Sequence, residues 1–229
     1  MTRSKLEKMV LTAMFCAIIT AMTFIPFVGY ITYGGLSLTT LHVVAILGAV
    51  TLGPVRGAVI GLVWGVTCLL YAMANGTADA AIFLNPLISV VPRVIVGFMA
   101  GWYFRWFAAL FGKVSARRAG KKGDAPAEVS SEGRANALVR WFRSFRGKGP
   151  EAAAAAVAAG LGTLTNTALV ITAIQIFGGS GVVKMGAVLQ AIVNAALALN
   201  MSIELPLAVI VVPAVAVPLF QLMRRQGAR

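Results

Sequence analysis

Long apolar segments separated by polar turns set the pattern of this chain. Six such segments cover residues 9–31, 36–53, 57–75, 83–107, 152–178 and 186–222. A membrane core of about 30 Å needs a helix of roughly 20 apolar residues. The pattern therefore predicts an all-α polytopic membrane protein, built as a compact bundle of six transmembrane helices in a single domain over residues 1–229.

The first and last segments each allow a second interpretation. Three basic residues precede the first, as in a secretory signal, but no small-x-small cleavage site follows, so we expect a retained helix. The last segment contains three prolines, and a break near Asn200 would give seven spans with the C-terminus on the opposite face. Because Arg224 and Arg225 follow it, we expect six spans with a kinked or tilted last helix.

Composition and charge narrow the class of protein and its orientation. Hydrophobic residues make up 59% of the chain and charged residues only 12%, too few to cover the surface of a soluble protein. With six spans, 18 of the 20 Lys and Arg residues fall on one face, the exceptions being Arg93 and Lys184. The positive-inside rule then predicts a multi-pass protein of the cell membrane with both termini cytoplasmic. Nucleic-acid binding would explain the net charge of +13 but not the hydropathy, so the expected surroundings are a lipid bilayer and no nucleic acid.

Residues 108–150 are predicted to form a basic cytoplasmic linker between helices four and five. The segment is polar and rich in Gly, Ala and Ser, as expected of a flexible connector. Apolar side chains between residues 138 and 145 share one helical arc, with Arg140 and Arg143 opposite. This arc favours either a short interfacial helix on anionic lipid or an extension of a neighbouring span.

The inventory of reactive residues argues against an enzyme. Cys16 and Cys68 lie within spans without a CxxC or Cys/His cluster, so no metal site is expected. His42 is the single histidine, and Glu204 is the only carboxylate inside a span. Intramembrane hydrolysis needs at least two acidic or metal-binding groups, and the chain has no phosphate-binding GxxxxGK[ST] loop. We therefore expect no catalytic residues, no metal and no cofactor.

Polar groups inside spans are costly and point to a binding site. At 100° per residue, four polar residues of the last span fall on one arc, and Asn85, Ser89 and Arg93 climb one face of the fourth helix. The expected ligand is small and polar, with substrate-binding candidates Thr39, His42, Asn85, Arg93, Asn166, Asn194, Asn200 and Glu204. Alternatively, these groups satisfy one another between helices, with Arg93 paired to Glu204, and His42 is a satisfied interface residue.

The loop after the first helix and two stripes of small residues complete the pattern. Residues 24–42 carry no charged side chain, which favours a lid packed over the site or, alternatively, an extended helix end. Gly57, Gly61 and Gly65 permit close helix approach and are expected to pack within the fold. A stripe on the first helix either packs within the fold or docks another membrane protein; its members are Ala13, Ala17 and Ala21.

The six spans resemble the substrate-binding (S) subunits of energy-coupling factor (ECF) vitamin transporters. The most specific stretches are GGLSLTTLHVVAILGAVTLGPVRGAVIGLVWGVT (34–67) and FLNPLISVVPRVIVGFMAGWYFR (83–105). The LSLTTLH and NPLxSVxPR stretches are most similar to the pantothenate-type members.

The resemblance implies a subunit that captures a vitamin, with pantothenate the leading ligand, from outside beneath a lid formed by the first external loop. It also implies partners: an ECF transmembrane scaffold subunit, which docks on the alanine stripe of the first helix, and two ATPase subunits that drive inward delivery. The long basic linker departs from the short connection found in the family. Three other hypotheses stay open. They are an S component for another vitamin, an ATP-independent channel or facilitator, and a non-transport membrane scaffold.

Overall fold

Six helices and one short β-hairpin make up the computed structural model, which describes residues 3–25, 28–33, 36–74, 83–119, 149–177 and 187–227. Within these ranges, side chains are described except at 3–4, 31–38, 116–119, 187–200 and 225–227. The helices are α1 (Arg3–Phe24), α2 (Leu41–Leu52), α3 (Pro54–Ala74), α4 (Val91–Ala119), α5 (Gly149–Phe177) and α6 (Ala187–Gly227). Strands β1 (Tyr30–Tyr33) and β2 (Leu36–Thr39) pair antiparallel, and a helical turn, Pro86–Ser89, precedes α4.

The all-α class and the six helices are confirmed, with one difference in length. In the part of the chain that the structure describes, five helices are long and apolar enough to cross a membrane. Helix α2 has only 12 residues, so it extends about 18 Å at 1.5 Å per residue. Residues 36–39, expected to begin this span, form β2 instead. The hairpin is rich in Tyr and Thr, residue types that favour strands.

Helix α2 lies at the centre of the bundle, which explains how so short a helix is accommodated. It contacts every other helix, and nearly all of its residues are buried. The turn to α3 is made at Gly53, whose φ of 92° lies in the left-handed region that favours glycine. The other helices therefore surround α2 instead of exposing it to lipid.

The later helices extend two of the predicted boundaries. Helix α6 continues without a break through Asn200 and its three prolines to Gly227, which favours six helices over seven. Helix α4 continues to Ala119, so residues 108–119 of the predicted linker are helical. Residues 120–148, including the predicted interfacial segment 138–145, lie outside the described part of the chain.

Glycine contacts bring α3 and α4 into backbone contact. A Cβ atom at Gly61 would lie 2.2 Å from the Arg93 carbonyl oxygen, and one at Gly57 would lie 2.2 Å from the Gly97 carbonyl oxygen. A Cβ at Gly65 would lie 2.7 Å from the Val90 Cα. The prediction that the glycine stripe packs within the fold is therefore confirmed.

The bundle has two chemically different ends, here called the hairpin end and the basic end. Helix α1 runs toward the hairpin, and the α6 carboxylate Glu204 contacts Thr39 there. At the opposite end, Arg105 covers the Gly53 turn and Arg224 pairs with Glu151 at 2.7 Å. Among the described residues, every Lys and Arg except Arg93 lies toward the basic end. The grouping of basic residues expected from the sequence is thus present in the fold.

Candidate functional site

Glu204 joins α6 to the hairpin. The residue is 4% exposed, and its Oε1 accepts a hydrogen bond from the Thr39 backbone N–H at 3.0 Å. Oε2 lies 4.0 Å from Nδ1 of His42. The only carboxylate predicted inside a span is therefore at the point where the hairpin meets the bundle.

His42 is fully buried at the start of α2. Its Nδ1 lies 2.8 Å from the Thr39 carbonyl oxygen, which is only an acceptor, so Nδ1 carries the proton in this contact. In a neutral ring that leaves Nε2 as a bare acceptor, and Nε2 has no hydrogen-bond partner in the described part of the chain. His42 thus has one atom fixed by the backbone and one atom available.

Arg93 is held at the start of α4 by aromatic rings and one carbonyl. Its guanidinium carbon lies 5.5 Å from the Trp64 ring centroid and 5.1 Å from that of Phe83. Nη1 donates to the Ile88 carbonyl oxygen at 2.7 Å, whereas Nε has no partner among the described residues. Cation–π contacts of this kind hold the cation over the ring faces.

Arg93 makes no ion pair within 4.0 Å with a described carboxylate, so the suggested direct pair with Glu204 is not formed at that distance. The positive charge of Arg93 is therefore buried without an adjacent counter-ion in the described part of the chain.

Asn166 on α5 lies level with His42. A Cβ at Gly162, one turn before Asn166, would lie 3.0 Å from Cδ1 of Ile46, one turn after His42. Helices α2 and α5 run in opposite directions, so one turn on from Gly162 and one turn back from Ile46 lead to the same level of the bundle. Asn166 is 6% exposed and its Oδ1 has no partner in the described chain.

Unpartnered polar atoms are concentrated at this site. Six buried side-chain N or O atoms lack a hydrogen-bond partner among the described residues, and only Glu151 Oε2 belongs to the basic end. The other five are Thr39 Oγ1, His42 Nε2, Trp64 Nε1, Arg93 Nε and Asn166 Oδ1. Leaving a buried donor or acceptor unpaired costs about 1–3 kcal/mol. Such a concentration is typical of a site that a polar ligand completes.

Asn85 and Ser89, in contrast, have structural partners. Asn85 Oδ1 accepts from the Leu87 N–H at 3.0 Å and caps the Pro86–Ser89 turn. Its Nδ2 donates to the Phe177 carbonyl oxygen at 3.2 Å, and Ser89 Oγ donates to the Gly65 carbonyl oxygen at 3.3 Å. A ligand role for Asn85 stays a prediction. The side chains of Asn194 and Asn200 lie outside the described part of the chain.

Tyr30 fixes the hairpin to α3. Its ring stacks on Tyr71 with centroids 4.5 Å apart, and its hydroxyl lies 2.7 Å from the Cys68 sulfur. Burial raises the pKa of the Tyr30 phenol well above its usual value, Cys68 raises it further, and the charge of Arg93 acts in the opposite direction. Tyr30 therefore holds the hairpin against the Cys68–Tyr71 turn of α3, and a lid role for the hairpin stays a prediction.

Trp64 is the site residue that the sequence analysis missed. It is 1% exposed, lies against Arg93, and its indole N–H has no partner among the described residues. The spacing gave a signal, because Trp64 lies between Gly61 and Cys68 at helical intervals on the packed face of α3.

The alanine stripe faces outward. Ala13, Ala17 and Ala21 are all exposed on α1, and their neighbours Met14 and Ile18 are 53% and 44% exposed. Of the two alternatives, packing within the fold is not observed.

The family of ECF transporter substrate-specific components matches residues 7–216. The chain belongs to this family. It is accordingly a transporter component with membrane helices and not an enzyme.

The pantothenate transporter PanT of Leuconostoc mesenteroides subsp. mesenteroides is 35% identical over 112 residues, which are 46% of this chain and 55% of that protein. The pantothenic acid transporter PanT of Lactococcus lactis subsp. cremoris is 27% identical over 230 residues, 94% of each chain. The match therefore spans about half of the first relative and nearly all of the second.

Proposed function

We propose that this chain is the substrate-capture (S) component of an ECF-type ABC vitamin importer, that it binds pantothenate at the hairpin end, and that it delivers the vitamin inward with ATPase partners. The observation that carries this proposal is the group of five buried polar atoms at the hairpin end that have no hydrogen-bond partner in the described part of the chain. The names of the two relatives support pantothenate as the ligand.

In this proposal Arg93 binds the carboxylate of the vitamin. Arg93 is 5% exposed, and among the described residues it has no carboxylate within 4.0 Å and no partner for Nε. A buried guanidinium gains charge-assisted hydrogen bonds from an anionic ligand, and these are about twice as strong as neutral ones. Thr39, His42, Asn166 and Glu204 supply the neighbouring polar surface. We include Asn194 and Asn200 because they share the helical arc of Glu204.

The orientation of the bundle follows from its charges. Because the described Lys and Arg residues other than Arg93 lie toward the basic end, we place that end, both termini and the 108–150 linker in the cytoplasm. The hairpin end then faces outward, where an S component meets its vitamin, in a multi-pass protein of the cell membrane.

The exposed face of α1 is our candidate for partner docking. Ala13, Ala17 and Ala21 present small side chains that let another helix approach closely. The proposed occupant is the ECF transmembrane scaffold subunit, which carries the two ATPase subunits.

Binding to the purified chain tests the ligand and Arg93 together. Isothermal titration across a vitamin panel should give micromolar or tighter affinity for pantothenate alone. Arg93→Ala should lower that affinity by about 10- to 100-fold, the range of a hydrogen bond to a charged group. Arg56→Ala, at the basic end, is the matched control and should bind as the unaltered chain does.

Two results would contradict the proposal. One is the absence of binding by any vitamin, checked by mass spectrometry of ligand retained through mild purification. The other is pantothenate transport by the purified chain alone in liposomes, because a facilitator would need no ATPase partners. Unchanged affinity in Arg93→Ala would give Arg93 a structural role.

A further inference from the structure

Four of the buried side-chain atoms without a described hydrogen-bond partner divide into two donors and two acceptors, and the division follows the helices that carry them. Arg93 Nε on α4 and Trp64 Nε1 on α3 carry hydrogen and can only donate. His42 Nε2 on α2, with the proton on Nδ1, and Asn166 Oδ1 on α5 accept. The donors belong to the α3–α4 pair and the acceptors to the α2–α5 pair.

The donor side is built with little freedom. Trp64 is 1% exposed and its ring lies 5.5 Å from the Arg93 guanidinium carbon, so the two donors are neighbours. Arg93 is further fixed by its bond to the Ile88 carbonyl and by the close approach of its own carbonyl to Gly61. Neither donor can become an acceptor, because indole N–H and guanidinium groups have no acceptor atom. Only an acceptor, and best an anionic one, satisfies both.

On the acceptor side, the backbone contact of His42 sets which ring nitrogen accepts, and the Asn166 amide offers an oxygen acceptor beside its own NH2 donor. Rotation of the His42 ring would break its 2.8 Å contact with the Thr39 carbonyl, so Nε2 stays directed away from the hairpin strand. Asn166 lies level with His42 on the facing helix, as the contact of Gly162 with Ile46 shows. A ligand satisfies these atoms by presenting hydroxyl or amide N–H groups.

We propose that the site has a fixed polarity that selects and orients its ligand. Trp64 and Arg93 form the end that binds a carboxylate, and His42 and Asn166 form the end that binds hydroxyl or amide donors. Trp64 is therefore a specificity-determining residue for the acid end of the ligand. The inference rests on the proposed function, because it concerns the same site. Pantothenate has the required form, with a carboxylate at one end and an amide and two hydroxyls toward the other.

Two substitutions and two ligands test this polarity. Trp64→Phe keeps an aromatic ring beside Arg93 but removes the N–H. His42→Asn keeps a donor toward the Thr39 carbonyl but removes the Nε2 acceptor. The ligands are pantothenate and panthenol, in which a hydroxymethyl group replaces the carboxylate. Trp106→Phe is the matched control, since Trp106 is 58% exposed on α4.

The expected result is a difference between the ligands in only one variant. Trp64→Phe should weaken pantothenate by about tenfold and panthenol by about twofold or less, because hydrogen bonds to a charged group are the stronger ones. His42→Asn should weaken both ligands by a similar factor, since they share the hydroxyl end. The control should bind both as the unaltered chain does.

The outcomes separate the two levels of inference. If the unaltered chain binds neither ligand, the proposed function fails. If it binds pantothenate but Trp64→Phe weakens both ligands equally, or neither, the polarity is overturned.

A measurement on the unaltered chain decides the question if Trp64→Phe does not fold. The indole ¹⁵N–H resonance of Trp64 is identified with Phe variants of the other three tryptophans, Trp102, Trp106 and Trp141. It should move downfield with saturating pantothenate and less with panthenol. An unmoved resonance at saturation would overturn the proposal.

Discussion

Replacing Gly61 with alanine tests the close packing of α3 against α4 and its link to the site. The new Cβ would lie 2.2 Å from the Arg93 carbonyl oxygen, which is backbone and cannot rotate away. To restore ordinary van der Waals contact the helices must separate locally by about 1 Å. The residue displaced first is Arg93, so one methyl group perturbs both the packing and the proposed ligand partner.

The expected magnitude follows from the overlap. Overpacking a tight contact costs about 1–3 kcal/mol, which for a chain of this size lowers the Tm by roughly 2–10 °C. The displaced guanidinium should also weaken pantothenate binding by about tenfold, because charge-assisted hydrogen bonds depend on geometry. Circular dichroism during heating in detergent measures the first effect, and isothermal titration measures the second.

Gly112→Ala is the matched control, because no atom lies within 4 Å of a Cβ at that position of α4. It should leave both the Tm and the affinity unchanged or raise the Tm slightly. If Gly61→Ala behaves like Gly112→Ala in both assays, the close contact between α3 and α4 is wrong. A lower Tm with unchanged affinity would instead separate the packing from the site.

Three other substitutions address the docking face, the hairpin and the basic end. Ala17→Trp should abolish co-purification of the scaffold and ATPases while leaving pantothenate affinity intact. The control Ala168→Trp, on the exposed face of α5, should change neither co-purification nor affinity. Loss of pantothenate binding in Ala17→Trp would refute the docking role. Glu204→Ala should speed hydrogen exchange of the Thr39 amide, because it removes the acceptor of that amide. Glu204→Gln should preserve the protection of the amide because its side chain keeps an acceptor oxygen. Equal exchange rates in the two variants would contradict the Glu204–Thr39 bond. Arg224→Ala should cost at most about 1 kcal/mol of stability, and less in high salt, because the Arg224 side chain is 65% exposed; a larger, salt-independent loss in chemical denaturation would contradict it.

The helices and the two ends of the bundle could be predicted because their signals are local and additive. An apolar run long enough to span the membrane is visible wherever it occurs, and the Lys and Arg residues mark one end without knowledge of packing. The hairpin was missed because strand pairing joins residues such as Tyr30 and Thr39 across a turn. Its uncharged Tyr- and Thr-containing sequence resembles a helix end. The short length of α2 was missed for the same reason.

The candidate site was predictable because a polar side chain inside an apolar span is costly and therefore marks a site. Arg93, His42, Asn166 and Glu204 were chosen on that ground, and the structure places them toward the hairpin end. Their binding roles remain predictions. Asn85 was chosen by the same rule, although Asn followed by proline is a typical start of a helix, where the amide serves as a cap.

The α3–α4 half of the site and the hairpin are held by different kinds of contact in the described part of the chain, and this difference bears on how a ligand is enclosed. Backbone contacts at the α3 and α4 glycines fix the Arg93 and Trp64 donors, so that half is preorganised before any ligand arrives. The hairpin contacts α6 through the Glu204–Thr39 bond and α3 through Tyr30. Breaking the Glu204–Thr39 bond costs less than separating the glycine-packed helices, because a single hydrogen bond contributes only about 1 kcal/mol. Opening and closing of the site should therefore proceed through the hairpin, while the donors that recognise the acid stay in place.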